Sequence, residues 1–301
     1  MKIIDQVVEV FKLLRVHQYS KNLMIFLPTF FALRINEWND MFRAAVAFIT
    51  FSLAASAVYI LNDIIDMPYD VMHPVKKNRP LAKGTISVPI AAAIAVVLLL
   101  LSMIMAWSMN VAGWILAYLV LNLAYTLRLK HIPILDIFII STGFVIRIFV
   151  GGYATSTYLS HWIVIMTFLF AIFFAAAKRR DDVLILTEKG QKMREVVDGY
   201  NIKFLDALIT IMASIVIVSY IMYTIAPETV AKVQTDKLYL TVFFVILGIT
   251  RYLQLVLVEN NSGSPTEVLL KDKFIQLSVL GWIITCGVLI YRIDLWIQNL
   301  L

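Results

Sequence analysis

Apolar residues in this chain are gathered into blocks long enough to cross a lipid bilayer, and the blocks follow one another across short polar gaps. About 20 helical residues span the hydrocarbon core. No water is available there to bond the backbone, so each block must satisfy its own N–H and C=O groups, which a helix does. Nine blocks qualify, at approximately 22–36, 43–64, 88–107, 111–128, 134–154, 161–178, 204–226, 237–258 and 274–293. The first is short and interrupted by Pro28. Only 15% of residues are charged, against roughly 25% in soluble domains, and the mean hydropathy is +0.84. The predicted fold class is all-α, a multi-pass transmembrane helical bundle of about nine helices forming one integral membrane domain over residues 1–301.

Charge sets the orientation. With the N-terminus in the cytoplasm, the cytoplasmic segments carry 19 Lys and Arg and the outer segments 5, while Arg147 and Arg251 fall within spans. This bias predicts an inner (cell) membrane protein whose long polar loops face the cytoplasm. The net charge of +6 is accounted for by those loops, so no nucleic-acid partner is expected. A single cysteine, Cys286, excludes a disulfide framework and a cysteine-based metal site. Residues 1–19 read as a surface helix rather than a cleavable signal. The second and third spans, like the sixth and seventh, flank a long charged loop, which hints at a two-fold organisation. A homo-oligomer is compatible with all of this.

The densest chemistry is the run Asn62-Asp63-Ile64-Ile65-Asp66-Met67-Pro68-Tyr69-Asp70 at the end of the second span. Asp63 and Asp66 are three apart and share a helix face. Pro68 is expected to break the helix and to leave Asp70 on the following turn. Three carboxylates and the Asn62 amide oxygen make a hard-cation site, which the negative end of the helix reinforces. Magnesium is the expected ion, held by Asn62, Asp63, Asp66 and Asp70, with the three aspartates as catalytic residues. A solvated acidic loop is the plainer reading, but carboxylates this close repel unless a cation joins them.

Basic residues follow at once: Lys76, Lys77, Arg79 and Lys83, after His73. Acid for a metal beside base for oxygens suits a magnesium diphosphate. For Lys83 the positive-inside bias is an equal explanation, and His73 reads as structural. Arg147 lies deep in the fifth span, where an unpaired arginine costs at least ~2.5–3.5 kcal/mol. Asp136, Gly143 and Arg147 fall near one helix face; either they line a polar cavity or Arg147 sits in a structural ion pair. Lys21 and Asn22, at the start of the first span, reach the same cavity, or Lys21 snorkels to the interface.

These residues together resemble the UbiA prenyltransferase superfamily, and within it the decaprenyl-phosphate phosphoribosyltransferase group. The resemblance lies in Asn-Asp-x-x-Asp-x-x-x-Asp at 62–70 followed by Lys77-Asn78-Arg79-Pro80-Leu81. It extends to Arg15-Val16-His17-Gln18-Tyr19-Ser20-Lys21-Asn22, Tyr125-Thr126-Leu127-Arg128-Leu129-Lys130, Asp136 with Gly143, Arg147 and Gly151, and Gly263-Ser264-Pro265-Thr266-Glu267 with Asp272-Lys273. It covers roughly residues 12–275. Members that prenylate aromatic rings carry spaced acids in the loop after the sixth span. Here that loop reads Lys178-Arg179-Arg180-Asp181-Asp182, with adjacent acids and three bases, which favours binding a further phosphate over a second metal clamp. The positive-inside bias also accounts for those bases.

The resemblance implies a magnesium-dependent membrane phosphoribosyltransferase with an acceptor lipid. It would move a 5-phosphoribosyl group from 5-phosphoribosyl 1-diphosphate to a polyprenyl (decaprenyl-type) phosphate, releasing diphosphate, for cell-wall polysaccharide precursors. Its implied substrate-binding residues are Lys21, Asn22, Asn62, Lys76, Lys77, Arg79, Tyr125, Lys130, Arg147, Lys178, Arg179 and Arg180. The alternative is a UbiA-type prenyltransferase that moves a polyprenyl group to an aromatic acceptor. A transporter is a third reading, disfavoured because the charged loops lie on one side.

Overall fold

The computed structural model describes residues 3–72, 76–190, 195–260, 268 and 271–291. His73, the middle of the loop after the sixth span (191–194) and the 263–267 motif lie outside the described residues. All regular structure among the described residues is helical. The helices are α1 (Ile3–Leu14), α2 (Leu27–Phe31), α3 (Trp38–Asp70), α4 (Val88–Ser108), α5 (Ala112–Leu127), α6 (Leu135–Ala154), α7 (His161–Lys189), α8 (Ile202–Ile225), α9 (Pro227–Val233), α10 (Val242–Leu257) and α11 (Lys273–Tyr291). Seven of the described helical segments are long and apolar enough to cross a membrane. The protein is an integral membrane protein. Two of the nine expected crossings are built differently. The 16 residues of α5 reach about 24 Å at 1.5 Å per residue.

The other unusual crossing is the first. No long α-helix forms over 22–36. A 3-10 segment, Val16–Phe26, runs into the five-residue α2 instead. At about 2.0 and 1.5 Å rise per residue the two together cover roughly 30 Å, a full hydrocarbon thickness. Its contacts with α3 step along in opposite order. Arg15 pairs with Asp63, Tyr19 Oη with Ser56 Oγ at 2.8 Å, Asn22 with Ser52 at 2.8 Å, Phe26 with Phe48 and Arg34 with Asp40 at 2.7 Å. In a 3-10 helix residues i and i+3 eclipse, so Tyr19, Asn22 and Ile25 follow one line along the segment; Tyr19 and Asn22 bond α3, and Ile25 is buried. The backbone comes so close that a Cβ on Gly151 of α6 would stand 2.1 Å from the Ile25 carbonyl oxygen.

Two compact units divide the chain: residues 1–129 with 143–159, and 130–142 with 160–301. In the first, α3 packs along α4. Small buried residues on α3, Ala44, Ala47, Ala54, Ala55 and Ala57, allow the close approach of its neighbours, as is common in membrane bundles. In the second, α7 packs along α8 and α10 along α11. Phe173, Ile209, Val216 and Tyr252 lie in its core. Each unit thus holds one of the two hairpins that flank a long charged loop.

Candidate active site

Helix α3 runs unbroken through Pro68 and ends at Asp70. The expectation that Pro68 would throw Asp70 onto the following turn is therefore corrected. Proline removes one N–H bond, and with two residues left in the helix little remains to disrupt; Val71 N–H already closes the end on the Met67 and Tyr69 carbonyls. Seven residues make almost two full turns, so Asp63 and Asp70 point the same way. Both are buried, at 2% exposure each. Asp66 lies on the same flank, half-buried, and Asn62 is half-buried beside it.

Arginines meet these carboxylates. Nη1 of Arg79 donates to Asp63 Oδ1 at 3.0 Å and to Asp70 Oδ2 at 2.5 Å. Nη2 of Arg15 donates to the same Asp63 Oδ1, and the Arg15 guanidinium lies over the Tyr59 ring, 5.0 Å from its centroid. Lys76 Nζ stands 3.9 Å from Asp70. Arg79 follows a 3-10 turn over Lys76–Asn78, and the loop beyond it is tied down by Lys83 N–H to the Arg79 carbonyl at 2.8 Å and by Thr85 Oγ1 to Glu9 at 2.8 Å. Lys77 is exposed. Arg15 is the residue that sequence reasoning missed. It lies 48 positions from its partner, and its one sign in the sequence is its place at the head of the Arg15–Asn22 stretch; in the structure it holds φ 52°, ψ 46°, a left-handed backbone that non-glycine residues seldom adopt.

Arg147 is 5% exposed in α6. Its Nε donates to Asn22 Oδ1 at 2.8 Å and its Nη1 to the Gly143 carbonyl at 2.7 Å. The rings of Phe51, Phe144 and Tyr118 surround its guanidinium, 4.6, 5.3 and 5.4 Å from the cation. Cation–π contact and hydrogen bonds thus hold this arginine in an apolar bundle. Asn22 links it to Ser52 of α3. Lys21 is half-buried beside it, and Tyr125, near the end of α5, is also half-buried.

In the second unit Asp136 and Arg179 form a buried network. Asp136 is fully buried and Arg179 is 1% exposed. Arg179 Nε donates to Asp136 Oδ2 at 2.5 Å and Nη1 to Asp182 at 3.0 Å. The Tyr200 hydroxyl donates to Asp136 Oδ1 at 2.6 Å and accepts from Ile134 N–H at 2.6 Å. Burial first, and then the bond to Asp136, pushes the Tyr200 hydroxyl pKa well above its ordinary value. Arg180 donates to Asp206 at 2.5 Å and to Asn260 at 3.1 Å. Lys178 is exposed and Lys130 half-buried. The run Lys178–Asp182, expected in the loop after the sixth span, is corrected to a part of α7, which continues to Lys189; of its three bases, the two arginines have carboxylate partners of their own and little exposed surface. Tyr200 too gives no sign in the sequence, since its partners lie 64 and 66 positions away.

The donors of Asn62, Asp63, Asp66 and Asp70 are all oxygens, the hard set that magnesium takes. Among the described residues no three acidic, histidine or cysteine side chains converge on a ready metal cage; guanidinium groups bridge the carboxylates instead. Such a donor set fits an ion that arrives with phosphate oxygens of its own.

Comparison with known proteins follows the same lines. The model of the UbiA prenyltransferase family matches residues 23–271. Decaprenyl-phosphate phosphoribosyltransferase of Mycolicibacterium smegmatis is 31% identical over 93% of this chain and 92% of its own. The Corynebacterium glutamicum protein of that name is 30% identical over 93% and 86%. A solved UbiA homolog from Archaeoglobus fulgidus, bound to GPP and Mg2+, shares the fold with a TM-score of 0.70, 18% identity, and coverage of 91% of this chain and 97% of that one. These relatives make the chain a transferase. Helices, motifs and family model agree, and the chain belongs to the UbiA prenyltransferase family.

Proposed function

We propose that this protein transfers the 5-phosphoribosyl group of 5-phosphoribosyl 1-diphosphate to a polyprenyl phosphate, releasing diphosphate, at the cytoplasmic face of the inner membrane. The lipid-linked pentose phosphate formed would serve cell-wall polysaccharide synthesis. The observation that carries this reading is the joining of Asp63 and Asp70, on one helix face, to Arg15 and Arg79, in a chain similar over nine-tenths of its length to decaprenyl-phosphate phosphoribosyltransferases.

In this reading Asn62, Asp63, Asp66 and Asp70 hold magnesium. When bound, the ion neutralises charge on the leaving diphosphate. Lys76, Lys77 and Arg79 take its remaining oxygens by charge-assisted bonds. The ribose C1 gains positive character as the C–O bond lengthens, and the polyprenyl phosphate attacks from the opposite side. That nucleophile is already an anion, so no residue need act as general base; catalysis rests on positioning and electrostatics. Lys21, Tyr125, Lys130 and Lys178 are proposed to meet the other phosphates. Arg147 and Asn22 are proposed to hold the first crossing in register beside them. Arg179 and Arg180 act through the carboxylates they hold.

Incubating membranes with radiolabelled 5-phosphoribosyl 1-diphosphate and decaprenyl phosphate should carry label into the lipid phase, and EDTA should abolish the transfer until magnesium is restored. A second reading, prenyl transfer to an aromatic acceptor, draws on the family model itself. Wild-type protein that prenylates 4-hydroxybenzoate and leaves phosphoribosyl diphosphate untouched would establish that reading and overturn the first.

A further inference from the structure

We infer that Arg15 is a diphosphate-binding residue, and that with Arg79 it acts as an exchangeable counter-ion for the metal carboxylates. The inference rests on the reading above that a metal diphosphate binds at α3.

Asp63 and Asp70 are too deeply buried to be stable as bare anions, and each is neutralised by guanidinium rather than by water. One oxygen, Asp63 Oδ1, receives Arg15 and Arg79 together. Arg79 also spans to Asp70. A divalent cation that takes Asp63 Oδ1 meets an oxygen whose lone pairs two guanidinium groups already occupy. Cation binding at that oxygen displaces an arginine. A displaced guanidinium beside a metal diphosphate finds the partner for which its planar fork is best suited. The exchange conserves pairing: carboxylate–arginine contacts become carboxylate–metal and arginine–phosphate contacts.

Arg15 is built for such a move. It lies at the joint between α1 and the 3-10 segment, in the left-handed region. Its contact with the Tyr59 face does not depend on Asp63 and supports the side chain whichever anion it meets. A purely structural ion pair would not need the second arginine on one oxygen.

The consequence has opposite signs for two ligands. Arginine competes with free metal and cooperates with metal diphosphate. Two titrations on the purified full-length protein in nanodiscs measure this: free Mn2+ followed by its electron paramagnetic resonance signal, and the manganese complex of 32P-labelled inorganic diphosphate followed by equilibrium dialysis. Arg15→Gln should bind Mn2+ alone several-fold more tightly than wild type and the manganese–diphosphate complex roughly ten- to a hundredfold more weakly, the range lost with one charge-assisted bond. Arg15→Lys should shift both in the same directions with smaller amplitude, and it carries the test if the glutamine variant is not monodisperse. Unchanged affinities would exclude Arg15 from the site. A fall in both affinities by the same factor would make Arg15 a mere prop for Asp63 and overturn the proposal. Neither titration uses a ribose or prenyl donor, so the lipid-labelling assay on wild type can fail while this inference stands, and the reverse.

Discussion

Replacing Arg179 by alanine tests what the second cluster of bases is for. The guanidinium is 1% exposed and holds Asp136 and Asp182. Its loss leaves Asp136, which has no exposed surface, with the Tyr200 hydroxyl as its described hydrogen-bond partner. Removing one member of a buried pair typically costs ~3–5 kcal/mol, because the remaining charge is uncompensated. That is on the order of a hundred- to several-thousandfold in the folded-to-unfolded ratio. The damage should appear as lost stability, not as weaker substrate binding. Fluorescence-detected gel filtration after a heating series, in parallel with the KM for phosphoribosyl diphosphate, separates the two. Arg179→Ala should melt far below wild type, and the protein that survives should keep a near-normal KM. Arg179→Met with Asp136→Leu removes both charges and should recover much of the stability, as apolar replacement of buried ion pairs often does. A variant that melts like wild type but has a KM raised tenfold or more would refute the reasoning and make Arg179 a direct phosphate ligand.

Gly151→Leu should press on the Ile25 carbonyl, which stands 2.1 Å from where even a Cβ would lie; the expected cost is about 1–3 kcal/mol, read as a lowered melting temperature with reduced transfer activity. The Glu9 carboxyl is held below its usual range by hydrogen bonds from Lys12 and then Thr85. A depressed carboxylate contributes stability above its unfolded pKa and loses it as pH falls through the folded one. Wild type should therefore lose melting temperature more steeply than Glu9→Gln as pH drops below about 4.5. A cysteine at Asn78 in a Cys286→Ser background should react with an impermeant thiol reagent only after the membrane is opened; labelling of intact cells would invert the orientation read from the 19-to-5 charge bias.

Much of this molecule was legible in its sequence, because membrane insertion imposes strong local rules. The apolar blocks announced the helices, since lipid leaves the backbone no other partner than itself. The spacing of Asp63 and Asp66 placed those two on one flank, because helix periodicity is a local property; that Asp70 joins them was not foreseen. The break expected at Pro68 did not occur, since a proline so near a helix end removes too little to stop it. Tertiary structure decided what pairs with what. The first crossing is a 3-10 segment held by Tyr19 on Ser56, Asn22 on Ser52 and the Ile25 carbonyl against Gly151, contacts that no local propensity encodes. Arg15 on Asp63, Arg147 among three aromatic rings, and Arg179 between Asp136 and Asp182 were decided in the same way. In an apolar interior a charge goes to whichever partner packing brings within reach, and a sequence lists the charges without giving those distances.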